Sequence, residues 1–124
     1  MRIAVIEDER PIREGLVHIL NKISPEYQVV GSAENGREGL ILLEEQDPDL
    51  ILLDIQMPDM NGLQMLKEAR ERGSMTKVVI LTAYSDFDYA KKAIALGIEN
   101  YLLKPVNLTE LKNTLSKIKE EIFV

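Results

Sequence analysis

The 124-residue sequence contains no cysteine, which excludes disulfides, a thiolate metal site and a cysteine nucleophile. It also lacks any apolar run approaching the roughly 20 residues that a membrane-spanning helix needs. The amino terminus turns acidic at Glu7 and Asp8, too early for a signal peptide. These absences fit a cytoplasmic protein without a membrane segment.

Positive charge is scarce as well. The chain has 15 basic and 21 acidic residues, a net charge of −6. Because nucleic-acid binding needs a positive surface that displaces counterions, this balance argues against direct contact with DNA or RNA. The apolar fraction of 45% is that of an ordinary globular protein. Residues 1–124 are therefore expected to form one domain with a genuine core.

The stretch Leu50–Gly62 is the starting point for predicting the fold and the site. Four aliphatic residues, Leu50–Leu53, run straight into Asp54, and turn-forming residues follow. A short unbroken apolar run is typical of a strand buried on both faces of a parallel sheet. Ligands bind at the carboxyl ends of such strands, which is where Asp54 would lie. Taken alone, Asp54 is equally well explained as a turn or helix-cap aspartate.

Strand and helix patterns alternate five times along the chain. The predicted strands are Ile3–Ile6, Tyr27–Ala33, Leu50–Leu53, Val78–Leu81 and Asn100–Leu103. The predicted helices run from Pro11 to about Lys22, from an Asn35 cap to about Gln46, from Leu63 to near Gly73, over Phe87–Leu96 with Ala90, Ala93 and Ile94 inward, and over Leu108–Ile122. This alternation indicates an α/β fold with parallel pairing and right-handed crossovers.

Four of these strands end on groups that can do chemistry. Glu7 and Asp8 follow the first strand, Asp54 the third, Thr82 the fourth and Lys104 the fifth. Three carboxylates at one sheet edge repel each other, and a hard divalent cation such as Mg²⁺ resolves that repulsion. The cation, the ammonium and the hydroxyl together favour a phosphoryl group as ligand. Asp54 would then be a nucleophile that forms an aspartyl phosphate.

In combination, these features resemble the receiver domain of bacterial two-component response regulators, from Met1 to about Phe123. The motifs that carry the resemblance are Glu7-Asp8, Asp54-x-x-Met57-Pro58 with Gly62, Thr82-Ala83 and Tyr101-x-x-Lys104-Pro105. The stretch Tyr84-Ser85-Asp86-Phe87 is similar to receivers attached to helix-turn-helix DNA-binding domains. The resemblance implies a flavodoxin-like (βα)5 three-layer sandwich with a parallel sheet of order 2-1-3-4-5.

The resemblance also implies a role for each acidic position. Asp54 would accept a phosphoryl group from a sensor histidine kinase. Asp8, Asp54 and the backbone carbonyl of Gln56 would bind Mg²⁺ directly, and Glu7 would hold it through water. Gln56 and Tyr84 would tune autodephosphorylation.

The remaining roles concern the phosphoryl group and the switch. Lys104 would pair with the phosphoryl group, Thr82 and Ala83 would contact it, and Tyr101 would be the switch aromatic. A cis peptide is implied at Lys104–Pro105. The surface of the fourth helix, fifth strand and fifth helix would then control a transcription output domain outside this chain, with a homodimer forming on phosphorylation. The chain would catalyse only its own phosphorylation and dephosphorylation.

Three other classes of protein are alternatives. An aspartate-nucleophile phosphatase of the haloacid dehalogenase type would carry a second aspartate where this chain has Gln56. A flavin binder would need a Ser/Thr/Gly-rich phosphate loop after the first strand, and the acidic run Glu7–Glu9 would repel phosphate. A degenerate receiver would lack a site residue, and none is missing. The only histidine, His18, is interpreted as an ordinary helix residue.

Overall fold

Ten alternating strands and helices make up the part of the chain that the computed structural model describes, residues 1–83 and 87–123. In order they are β1 Arg2–Ile6, α1 Arg10–Ile23, β2 Gln28–Ala33, α2 Gly36–Gln46, β3 Leu50–Leu53, α3 Gly62–Glu71, β4 Lys77–Thr82, α4 Phe87–Ala95, β5 Asn100–Leu103 and α5 Leu108–Ile122. The strands form one parallel sheet in the order β2-β1-β3-β4-β5. The predicted flavodoxin-like sandwich and its strand order are confirmed.

Strand β3 is apolar throughout because it lies at the centre of the sheet. All four β3 residues are buried, because β1 and β4 flank the strand and helices cover both faces. Successive side chains alternate between two cores. Ile51 and Leu53 pack on the side of α2, α3 and α4, and Leu50 and Leu52 on the side of α1 and α5.

Element bounds differ from the sequence prediction by one or two residues. Most of the differences lengthen an element by one residue, more often at its start than at its end. Thr82 is the last residue of β4 instead of the first residue after it. Tyr27 lies outside β2; its backbone N–H donates to the Ser24 carbonyl at 3.1 Å, and its ring is buried in the core on the α1 and α5 side.

Helix α4 differs from its prediction in the side that it buries. Ala93 is fully buried, but Ile94 is 68% exposed, so the prediction that Ile94 points inward is wrong. Adjacent helical positions are about 100° apart, so a helix that contacts the core along a narrow line buries only one of them. The predictions for Tyr84–Asp86 lie outside the described residues.

Arg70 of α3 fixes the far end of α4. Its guanidinium donates to the carbonyls of Leu96 at 3.0 Å and Gly97 at 2.9 Å, which follow α4. It also donates to the carbonyls of Ser74 and Thr76 ahead of β4. One side chain therefore joins three segments at the end of the sheet opposite Asp54. Among the described residues, no helix has both the length and the apolar content that crossing a bilayer requires.

Candidate functional site

The carboxyl edge of the sheet gathers the residues that end its central strands. β1 leads into Glu7 and Asp8, and β3 leads into Asp54, whose backbone N–H donates to the Ile6 carbonyl at 2.9 Å. One carboxylate oxygen from each of the three acids lies within 4.8 Å of the others. The predicted acidic cluster is thus present in the folded chain.

Lys104 reaches this cluster from the end of β5. Its ammonium forms an ion pair with Glu7 Oε1 and lies 3.5 Å from Asp54 Oδ2. Burial alone lowers the pKa of Lys104, but its hydrogen bond with Glu7 and the charge of Asp54 outweigh burial and raise the pKa above its ordinary value. Lys104 therefore stays charged at neutral pH.

The electrostatics of the acids show that one cation is not enough for three carboxylates. Glu7 is 1% exposed, and this burial raises its pKa from 4.5 to about 7, even though the hydrogen bond from Lys104 acts in the opposite direction. The neighbouring carboxyl groups of Asp54 and Asp8 raise the pKa of Glu7 further. The folded chain therefore favours a proton on Glu7 over three negative charges that face one ammonium.

The donor set fits a hard divalent cation. Among the described residues, Asp8 Oδ1 is the one buried side-chain oxygen or nitrogen without a hydrogen-bond partner. A buried carboxylate oxygen normally has a partner, and an ion would supply one here. Three carboxylates give the all-oxygen set that Mg²⁺ prefers. Glu7, Asp8 and Asp54 could therefore hold such a metal.

A cleft of about 740 Å³ opens over the site. Its polar end carries the predicted site residues Asp8, Asp54, Gln56, Ala83 and Lys104. The backbone N–H of Gln56 lies 3.4 Å from Asp54 Oδ1, while its side chain is exposed. The rest of the wall is largely apolar and comes from α1 and the segment after β5: Glu9, Ile12, Gly15, Leu16, Ile19, Pro105 and Val106.

The two predicted switch residues lie on the same face of the sheet. Tyr101 is half-buried and packs against the core on the α2, α3 and α4 side. Its register partner on β4 is Ile80, and Thr82 follows two residues later, so strand alternation places Thr82 on that face too. Thr82 is fully buried. The cis peptide predicted at Lys104–Pro105 is present.

The sequence predicts no role for two residues near the site, Arg13 and Gly62, although Gly62 belongs to one of the motifs. Arg13 of α1 donates to the backbone carbonyls of Glu7 and Asp8. Gly62 packs so closely on the Asp54 backbone that a Cβ would lie 2.2 Å from the Asp54 carbonyl oxygen. Gly62 carries a detectable signal, because a glycine at a helix start can mark a close backbone approach. Arg13 gives no such signal.

Replacing Glu7 by glutamine is expected to stabilise the metal-free protein above neutral pH. The folded state keeps a proton on Glu7 up to about pH 7, whereas the unfolded chain loses it near 4.5. Between pH 4.5 and about 7 the folded state binds more protons than the unfolded state. The free energy of unfolding therefore falls as the pH rises, and it stops falling above the pKa of Glu7 in the folded state. Glutamine does not ionise. We expect a gain on the order of 1–3 kcal/mol at about pH 8 that shrinks toward pH 5, measured by urea unfolding.

The matched control is Glu9→Gln, because Glu9 is exposed and its side chain makes no capping hydrogen bond. Lys104 keeps Asp54 as a partner in Glu7→Gln, so the variant leaves no isolated buried cation. A Glu7→Gln protein that is less stable than wild type at about pH 8 would contradict the prediction.

Fold and site together define a flavodoxin-like α/β protein with an acidic, metal-competent pocket at the carboxyl edge of its sheet. The family model described as the response regulator receiver domain matches residues 3–116. The chain therefore belongs to the response regulator receiver domain family.

Individual relatives agree with this assignment. The transcriptional regulatory protein YdfI of Bacillus subtilis is 35% identical over 114 residues, covering 92% of this chain and 53% of YdfI. The receiver domain of AraT, a response regulator from Geobacillus stearothermophilus, superimposes with a TM-score of 0.87 at 35% identity, covering 98% of this chain and 94% of that one. A LuxR-family DNA-binding response regulator from Staphylococcus aureus gives 0.87 at 30% identity, covering 94% and 97%.

The curated relatives are longer proteins. The chain spans 33% of YesN and 53% of YdfI, both from Bacillus subtilis, so it matches between a third and about half of their length.

Proposed function

We propose that this chain is a Mg²⁺-dependent phosphoacceptor switch in which Asp54 accepts a phosphoryl group from a sensor histidine kinase. The observation that carries the proposal is the convergence of Glu7, Asp8, Asp54 and Lys104 at one edge of the sheet, where Asp8, Asp54 and Lys104 line the cleft and Glu7 is buried beside them. Asp54 sits at the end of a fully buried strand yet lines an open cleft, so it is both held in place and accessible.

Each site residue has a part in this scheme. Asp8, Asp54 and the Gln56 carbonyl would hold Mg²⁺, and Glu7 would hold it through water. When bound, Mg²⁺ supplies positive charge that offsets the charge of the phosphoryl oxygens. Lys104 exchanges its present carboxylate partners for a phosphoryl oxygen.

The chemical step is a transfer between nitrogen and oxygen. A carboxylate oxygen of Asp54 forms a bond to phosphorus as the bond from phosphorus to the donor imidazole breaks, and the electron pair stays on the imidazole nitrogen. Thr82 and Ala83, at the end of β4, contact the transferred group. The chain catalyses only this step and the later hydrolysis, whose rate Gln56 and Tyr84 tune.

Switching follows from the new charge at the sheet edge. Thr82 turns toward the phosphoryl group, and Tyr101, on the same sheet face, moves into the vacated space, which reshapes the surface of α4, β5 and α5. A change from 1:99 to 99:1 takes about 5.5 kcal/mol, and one charge-assisted hydrogen bond contributes roughly 1.5–3 kcal/mol. Thr82 alone therefore gives a partial shift, and dimerisation supplies the remainder.

The biological setting is part of the proposal. Residues 1–124 act as one receiver domain that controls a DNA-binding output domain in the same protein. The match to YdfI, a transcriptional regulatory protein about twice as long as the region it shares with this chain, supports such an output. The receiver itself, with its net charge of −6, does not contact DNA.

The test is phosphoryl uptake from acetyl phosphate, a small-molecule donor, followed by intact mass. We expect a single phosphoryl adduct that forms with Mg²⁺, disappears with EDTA and maps to the peptide containing Asp54. An adduct that forms equally well in EDTA, or that maps to another residue, would count against the proposal.

A further inference from the structure

Arg13 makes contacts that the proposed chemistry does not use. It lies in the second turn of α1, and its Nη1 donates to the Glu7 carbonyl at 2.8 Å and is 3.4 Å from the Asp8 carbonyl. Long side chains in a helix point back toward its amino terminus, which brings the Arg13 guanidinium over the β1–α1 loop. Arg13 is thus a side chain that hydrogen-bonds to the backbone of Glu7 and Asp8.

The loop has few other constraints. Glu9 is the N-cap residue of α1, but its side chain makes no capping hydrogen bond. The Glu9 backbone N–H lies 3.4 Å from Glu7 Oε2, a long contact that would change if Glu7 turned toward a metal. The Glu7 backbone N–H donates to the Ala33 carbonyl at 3.0 Å and holds the start of the loop. Arg13 and the Glu7 carboxylate are the side chains that contact the backbone at Asp8 and Glu9.

Arg13 differs from the other arginine at the start of the helix. Arg10 forms an exposed ion pair with Glu14 at 2.8 Å. Among the described residues, Arg13 has no carboxylate within 4.0 Å, so its charge is directed at carbonyl oxygens. A hydrogen-bonded carbonyl restrains the peptide plane, and with it the position of the next Cα atom from which the side chain projects.

We propose that Arg13 is a positioning residue that holds the Glu7–Asp8 backbone so that both carboxylates, with Asp54, face one divalent cation. This rests on the proposed function. Groups that orient metal ligands without touching the metal change affinity by about 10- to 100-fold when removed. Arg13 belongs to this class, with the difference that it orients its ligands through the main chain.

The experiment measures Mg²⁺ binding to the unphosphorylated chain by calorimetry, in wild type, Arg13→Met, Arg13→Lys and Arg10→Met. Methionine keeps the helix propensity and most of the apolar stem of arginine. We expect Arg13→Met to weaken Mg²⁺ binding by about 10- to 100-fold, Arg13→Lys to recover part of the loss, and Arg10→Met to stay within about 3-fold of wild type.

Two further readouts separate positioning from general damage. In acetyl phosphate labelling, Arg13→Met is expected to raise the Mg²⁺ concentration for half-maximal rate, while the rate at saturating Mg²⁺ stays near that of wild type. In the metal-free protein, the Asp8 and Glu9 amides are expected to exchange with solvent faster in Arg13→Met than in Arg10→Met.

Three results would overturn the inference. Mg²⁺ affinity in Arg13→Met equal to that of wild type shows that the contact does not matter. An equal loss in Arg10→Met shows that only net charge matters. Absence of Mg²⁺ binding in wild type overturns the proposed function and this inference together, which distinguishes it from the first two results.

Discussion

Phosphoryl uptake from acetyl phosphate is expected to disappear when Asp54 is replaced by asparagine. The amide cannot act as the proposed carboxylate nucleophile, and the change also removes a proposed metal ligand and a partner of Lys104. We expect the rate to fall by about 10³-fold or more, the scale seen when a nucleophile is lost. Intact mass in Mg²⁺ is the measurement, with the variant and wild type labelled side by side.

The matched control is Asp59→Asn, the same chemical change five positions along the chain. Asp59 is exposed and adopts a left-handed backbone with φ of 64°, which asparagine tolerates well. Its labelling is expected to equal that of wild type. Folding is not at issue in Asp54→Asn, because the variant removes one of three mutually repelling charges and nearly preserves shape. An adduct of wild-type yield in Asp54→Asn would refute the assignment of the nucleophile.

Alanine at position 62 is expected to damage both stability and phosphorylation. The new Cβ would lie 2.2 Å from the Asp54 carbonyl oxygen and 3.0 Å from Ile55 Cα. These are backbone atoms, so no side chain can turn away to make room. The Gly62 N–H also donates to the Ile55 carbonyl at 2.9 Å, which ties the start of α3 to the same loop.

The strain must therefore move the loop that carries Asp54. We expect a loss of about 2–4 kcal/mol in urea unfolding, around the upper end of the usual cost of overpacking, because backbone yields less than side chains. A displacement of about 1 Å at a reacting group can cost 10²-fold in rate, so we also expect labelling of Asp54 to slow by about that factor.

Gly15→Ala is the control for this prediction. Gly15 lies inside α1, and a Cβ there meets nothing within 4 Å. The substitution is expected to stabilise the chain by about 0.5–1 kcal/mol, since alanine is the better helix former. The same chemical change thus has opposite expected signs at the two sites. If Gly62→Ala were as stable as wild type, the close approach to Asp54 would not restrict that position.

The fold was predictable from the sequence to within a few residues at each boundary. Apolar runs such as Leu50–Leu53 and helical spacing such as that in α5 are local patterns in the sequence. They predict the fold correctly because helices cover both faces of the sheet, so a central strand such as β3 is apolar throughout. The prediction for Ile94 was wrong because the spacing of apolar residues shows which side of a helix faces the core, but not how wide the buried stripe on that side is. That width depends on how α4 lies against the sheet.

The candidate site was predictable as a set of strand ends. The sequence alone determined that Glu7, Asp8, Asp54 and Lys104 each follow a strand, and a parallel sheet sends all such ends to one edge. Only the tertiary structure decided that Lys104 pairs with Glu7 as well as Asp54, and that burial raises the pKa of Glu7 to about 7. These features depend on distances and desolvation that arise when distant segments pack together.

Arg13 and Gly62 show the same division at a finer scale. From the sequence, Arg13 is one charged residue among several on α1, and Gly62 is a motif residue in a predicted turn without a known contact. In the folded chain, Arg13 donates a hydrogen bond to the Glu7 carbonyl at 2.8 Å. The backbone of Asp54 lies so close to Gly62 that a Cβ does not fit at position 62. The sequence determined which chemical groups reach the sheet edge, because strand alternation is a local property. Packing decided how those groups are aimed, because contacts of 2–4 Å are fixed only when the layers come together.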